Sequence, residues 1–240
     1  NNGDKVYVRG ILSANNTTSN YTQFKMSGKI DASGNCNAIW NYKDLDATLK
    51  QYCGYNMFCN CTSLTTAPKL PTTTLLEYCY ASMFQDCTAL TKAPELPATT
   101  LVEGCYYNMF NGCTSLTTAP KLHATILTDY CYCGMFSGCT NLNYIKCVAT
   151  DISADGCTYC WTQNVSSTGT FIKYPGSTWS TGENGIPTVW VVEDVDMPYV
   201  TFTAQEDNSS IGLVKLSTNQ QLEYSSDTSV WNTFDASTNI

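Results

Sequence analysis

Residues 83–108 read MFQDCTALTKAPELPATTLVEGCYYN, and the same frame recurs on either side. Met-Phe pairs stand at Met57-Phe58, Met83-Phe84, Met109-Phe110 and Met135-Phe136, each 26 residues after the last. Cys precedes each Met by four (Cys53, Cys79, Cys105, Cys131) and follows it by four (Cys61, Cys87, Cys113, Cys139). Leu follows at seven (Leu64, Leu90, Leu116, Leu142), then Pro68, Pro94 or Pro120. Agreement at so many positions defines a repeat, and a period of 20–50 residues marks units that stack to share one core.

The frame decays in order at both ends. Cys157 keeps the Cys position, Trp161 replaces Met and Val165 replaces the next Cys, so residues 144–165 read as a closing coil. Residues 30–40, with Cys36 and Ile39, read as an opening one. Terminal repeats have a neighbour on one side only and are expected to be atypical. Each unit is expected to supply one extended segment near LTTAPKL (64–70) and one short helical or turn-like segment near EYCYASMFQ (77–85). In the second, Cys79 and Met83 share an inward helical face. Asp86, Gly112 and Gly138 stand where that segment stops and suit positive φ. The predicted fold class is therefore α/β, a leucine-rich-repeat-like solenoid over residues 30–165. The ladders Cys53/79/105/131/157, Cys61/87/113/139, Met57/83/109/135 and Leu64/90/116/142 form its core.

The spacing Met-Phe-x-x-Cys-x-x-Leu, followed by Leu-Pro and a later Leu, resembles the repeats of the BspA-like leucine-rich repeat surface proteins of anaerobic bacteria. This chain has Met where that family usually has Ala, and its unit is somewhat longer. The resemblance implies cell-surface display, adhesion, and binding of host or matrix components, including a host surface protein or a glycan. Similar repeats in bacteriophages make a virion fibre or decoration protein an alternative, and a carbohydrate-binding module is another.

The flanks read as β-rich and sandwich-like. Residues 1–29 hold KVYVRGIL (5–12), a strand pattern with nothing adjacent to pair with, and YTQFKMSGKI (21–30), a second candidate. Residues 166–196 read as short strands joined by Gly and Pro turns. Residues 197–240 carry four period-2 stretches: PYVTFTAQ, SSIGLVKL, QLEYSSD and VWNTFD. Four short strands leave a sheet incomplete, and either the N-terminal strand of the same chain or that of another copy could complete it. A stack of five coils spans roughly 24 Å at the spacing of sheet strands, and its ends face opposite ways. The chain is thus expected to be one period of a head-to-tail array, whose contacts do not close.

Composition bears on chemistry. Only 13% of the 240 residues are charged, against about 25% in an average domain. Thr (34), Ser (20) and Asn (20) take their place, which suits strands and turns better than surface helices. A net charge of −8 argues against a nucleic-acid partner, because phosphate affinity comes from Lys and Arg. No run approaches the roughly 18 apolar residues of a membrane span. The N-terminus begins without Met, so a leader has been removed or the chain is part of something longer.

The one histidine, His123, sits where neighbouring units have Pro71 and Pro97. A Ser-His-Asp or Cys-His nucleophile system would need it, and no second His exists to share a metal. The expectation is accordingly no catalytic residues, no metal and no cofactor. The 14 Cys are expected to be buried thiols. Disulfides along a ladder and a metal at Cys157-x-x-Cys160 are the alternatives. Glu77 and Glu103, at equivalent places, read as solvated surface. The candidate contact face comprises Thr65, Thr66, Lys69, Thr91, Lys92, Glu95, Thr117, Thr118 and Lys121. The Tyr80, Tyr106 and Tyr132 ladder is either packing or an aromatic platform for a sugar. The expected location is extracellular or on the cell surface, or on a virion.

Overall fold

A computed structural model describes residues 5–11, 16–46 and 48–195, together with the backbone of two short strands at 222–224 and 232–234. The chain divides into two compact units, Asn1–Val195 and Asp196–Ile240.

The first unit is built from the repeats, which lie one above another, but not as strand plus helix. In residues 50–61 the amides alternate between two partners. Those of Cys53, Tyr55, Met57, Cys59 and Cys61 donate to the carbonyl three residues back, closing a succession of β-turns. Those of Tyr52, Gly54, Asn56, Phe58 and Asn60 donate to Glu77, Cys79, Ala81, Met83 and Gln85, each 25 residues ahead in the next repeat. The next units follow suit: Tyr78, Tyr80, Ser82, Phe84 and Asp86 donate to Glu103, Cys105, Tyr107, Met109 and Asn111. Every fourth residue sits at positive φ: Tyr52, Asn56 and Asn60, then Tyr78, Ser82 and Asp86, then Gly104, Asn108 and Gly112. A β-turn with a left-handed third residue is of type II character, and Gly and Asn are its natural occupants.

This overturns the α/β leucine-rich-repeat-like class. Among the described residues only Asn37–Asn41 is α-helical, and it lies before the Met-Phe repeats. An α-helix sends every interior amide to the carbonyl four back within the same segment. Here half of the amides leave for the neighbouring repeat. Cys79 and Met83 do point inward together, but through a period of four turn residues rather than a helical face. Asp86, Gly112 and Gly138 do have positive φ, between 57° and 73°; they are corners in a series of turns rather than helix ends.

The extended side is also thinner than expected. Parallel pairing joins β1 (Ile30–Asp31) to β2 (Leu64–Thr66). β3 (Tyr144–Cys147), β4 (Thr170–Lys173) and β5 (Val191–Asp194) form a parallel three-stranded sheet in that order. Between these sheets only single bridges occur, such as Thr66↔Lys92 and Thr118↔Tyr144. The prolines at 68, 94 and 120 explain the gap, since each removes a ladder donor just where a strand would continue.

The flanks are corrected as well. Residues 166–196 supply two strands of a parallel sheet rather than part of a sandwich. The stretch Lys5–Ile11 is in no strand; only Ile11 bridges to Asn41, while the amide of Gly10 donates to the Ala38 carbonyl at 2.9 Å. Of residues 21–30 only Ile30 belongs to a strand. In the second unit β6 (Leu222–Tyr224) pairs antiparallel with β7 (Asn232–Phe234). The expected strands PYVTFTAQ and SSIGLVKL lie outside the described residues.

The core runs the length of the stack. Phe24, Phe58, Phe84, Phe110 and Phe136 stack with ring centroids 5.2 to 5.9 Å apart and planes within 14°. A second column runs Tyr80, Tyr106, Tyr132 and Trp161 at 6.1 Å steps. Each aromatic contact contributes about 0.5–1.5 kcal/mol beyond area burial. The ends are sealed by indoles. At the opening, Trp40 Nε1 donates to the Cys53 carbonyl at 2.9 Å. At the close, Trp161 Nε1 donates to the Gly185 carbonyl at 2.8 Å and its ring stacks on Trp179.

Candidate functional site

All the core-ladder positions are buried: the Cys, Met and Leu ladders from residue 53 to 157 line the interior. The thiols are not merely small apolar fillers. Cys87 Sγ donates to the Phe58 carbonyl at 3.0 Å, Cys113 to that of Phe84 at 3.1 Å, and Cys139 to that of Phe110 at 3.0 Å. Each thiol so adds a second donor to a carbonyl of the preceding repeat that already accepts a turn amide, a contact that Val or Ala could not make. Burial pushes the Cys53, Cys131, Cys139 and Cys147 thiols up to about 12. Toward the opening end, Cys61 is pushed up to about 11. All fourteen cysteines are free thiols, and only Cys160 is partly exposed. Raised, buried thiols are poor nucleophiles and poor metal ligands, because both tasks need the thiolate. Among the described residues no three His, Cys, Asp or Glu side chains gather as a metal site.

The candidate contact face divides. Thr66, Lys69, Thr91, Lys92, Glu95, Thr117, Thr118 and Lys121 are exposed, and Thr65 is half-buried. Thr65 and Thr66 both donate to Asp31 Oδ1, the latter at 2.9 Å, and these bonds hold the Asp31 carboxyl below its usual range. His123 is exposed on the same side.

Tyr80, Tyr106 and Tyr132 do not belong to that face. Each is only 1% exposed, and stacking on its neighbours covers both ring faces. As a platform for a sugar they are withdrawn. They follow inward Cys at one residue, and the turn geometry brings both side chains of the pair inside, where an alternating strand would have put one out.

The tyrosines that reach solvent are others. Tyr52 and Tyr78 stack at 5.3 Å on the outer side of the turns. Tyr78 donates its hydroxyl to Glu103 at 2.8 Å, and Tyr130 donates to Asp155 at 2.8 Å. Burial, then the Glu103 carboxylate, raises the Tyr78 phenol. Of the carboxylates read as merely solvated, Glu103 is thus a tyrosine's partner and Glu77 accepts from Gln51 Nε2. Rings at 78 and 130 lie over Gly104 and Gly156, whose missing side chains make the room. The alternation Tyr78, Gly104, Tyr130, Gly156 was visible in the repeat and marks this face.

Two shallow depressions border the stack. One, of about 140 Å³, lies at the opening end among Ile11, Trp40, Asp44 and Leu49. The other, about 280 Å³, lies between Thr162–Ser167 and Gly182–Val189. Neither gathers a nucleophile with a base.

No protein-family profile matches the chain, and neither a curated protein nor a solved structure is significantly similar to it. Among the described residues no helix is long and apolar enough to cross a membrane.

Proposed function

We propose that this chain is a non-enzymatic structural protein of the cell exterior, one period of a head-to-tail fibre whose repeated surface supports adhesion. The observation that carries the reading is the backbone ladder. Every second amide from Tyr52 to Asn60, and again from Tyr78 to Asp86, is spent on the next repeat, so the repeats form a rod-building device with outward faces that recur at fixed spacing. The exposed Thr and Lys positions at 66, 69, 91, 92, 117, 118 and 121 recur on that spacing and suit hydrogen bonding to a polar partner surface. The repeat spacing that resembles the BspA-like surface proteins supports the same location. Free thiols are unusual outside the cell, but here thirteen of fourteen are shielded by burial, which protects them from oxidants.

Electron microscopy of the purified protein, with light scattering over a concentration series, tests the reading. Fibres of uniform width, with mass rising with concentration, are expected. Single particles of one chain's mass, 26.4 kDa, at every concentration would overturn it.

A further inference from the structure

Two unpaired backbone edges stand out, and they are complementary. Lys5–Arg9 make no backbone hydrogen bond to any described residue, and their apolar side chains face solvent: Val6 is 90% exposed and Tyr7 87%. At the far end of the stack, β5 has a partner on one side only among the described residues, β4. The amides of Val191 and Val195 donate to Gly169 and Lys173, so by strand alternation those of Val192 and Asp194 point away from the sheet. Val191 and Val192 are 59% and 45% exposed. Exposed β-branched edges of this kind are templates for another strand.

We infer that Lys5–Arg9 of one copy adds to the free edge of β5 in a second copy, as a fourth strand of the β3–β4–β5 sheet. The inference rests on the head-to-tail reading and names its joint. Charge favours this occupant. The N-terminal stretch carries Lys5 and Arg9, and the β5 edge carries Glu193 beside Asp194, which already accepts from Lys173 Nζ of β4 at 2.8 Å and would be shared with an incoming cation. A parallel register that sets Tyr7 beside Val192 sets Val6 beside Val191 and Arg9 beside Asp194. Cross-strand pairs of these types are favourable, and main-chain bonds supply the affinity in strand addition. Arg9 already lies 4.4 Å over the Tyr42 ring, and Gly10 is tied to Ala38, so the stretch is anchored at its C-terminal end. The contact joins one end of a copy to the opposite end of the next, so it propagates.

A complementation experiment on the full chain tests this. Val8→Asp places an acid against Glu193 and damages the donor strand only. Val192→Pro removes an outward amide and damages the acceptor edge only; Val192→Lys is the second acceptor variant should the proline disturb folding. Unchanged melting temperatures certify the variants. Each variant alone should show an apparent dissociation constant at least tenfold weaker than the parent in sedimentation. An equimolar mixture of the two should form pairs that stop at two copies, since one intact strand and one intact edge remain. If the parent assembles and the variants assemble equally well, this joint is wrong while the fibre reading stands. If the variants are monomeric and their mixture stays monomeric, the two patches are not partners and the inference fails. A parent that never assembles would remove both.

Discussion

A left-handed backbone costs a side-chain-bearing residue roughly 1–2 kcal/mol and glycine little. Ten of the fifteen positive-φ positions between Tyr52 and Asn164 are Gly, Asn or Asp, so most corners are made by residues suited to them. Gly104 has a second reason. At φ +55 its missing Cβ would lie 2.3 Å from the Tyr78 ring. Gly104→Ala should therefore lower stability by about 2 kcal/mol or more, from strain and the displaced ring together. Cys160 is the opposite case, a non-glycine corner at φ 51 whose amide donates to the Asn184 side-chain oxygen at 2.7 Å rather than to a next repeat's carbonyl. Cys160→Gly should be neutral or stabilising by up to about 1 kcal/mol. Urea denaturation of both variants checks the contrast; equal losses at the two positions, or a gain at Gly104 with a loss at Cys160, would deny that the corners are left-handed. The signal was legible in Gly104-x-x-x-Asn108-x-x-x-Gly112, a period of four in turn-forming residues. It was obscured because Tyr52, Ser82 and Tyr130 occupy the same corners elsewhere, and because Cys and Met at a spacing of four also fit a helix.

Within one repeat the apolar positions declare what is buried but not by which backbone. The Met, Cys and Leu ladders at 57–142 were readable as core, because only the interior tolerates identical apolar residues stacked four deep. The tyrosine after each inward Cys was not readable, since its orientation depends on the turn that follows. Phe110 measures the energy held in such a column. It is fully buried between Phe84 and Phe136, at 5.8 and 5.9 Å. Phe110→Ala should cost about 3–5 kcal/mol, from lost transfer energy and a cavity that stacked neighbours cannot collapse. Phe24, half-exposed at the end of the same column, should lose less on the same change. Calorimetry or urea midpoints decide, and equal losses at both positions would show that the column does not act as a core.

Taken together, the stacked repeats make stability a function of thiol protonation. Cys53, Cys131, Cys139 and Cys147 titrate near 12 when folded, whereas an unfolded thiol titrates at about 8.5. Above that value the unfolded chain has released protons that the folded chain still holds, so stability falls as pH rises; below it the contribution is complete. Each thiol lowers stability by ~1.4 kcal/mol per pH unit in that window, and the four together by ~5 kcal/mol. Urea midpoints in reducing, oxygen-free buffer should be flat to about pH 8 and collapse by about pH 10.5; a midpoint unchanged across that range would mean the thiols are not enclosed. The amino-acid order alone established a repeat of 26, its apolar core and the decay of the pattern at both ends, because periodic burial needs only side-chain chemistry. Tertiary structure decided the rest. Whether an amide bonds three residues back or 25 residues ahead depends on the repeat stacked beside it, and prolines at 68, 94 and 120 decide how little of the other side can pair. For that reason a chain whose spacing spelled strand and helix is built instead from turns.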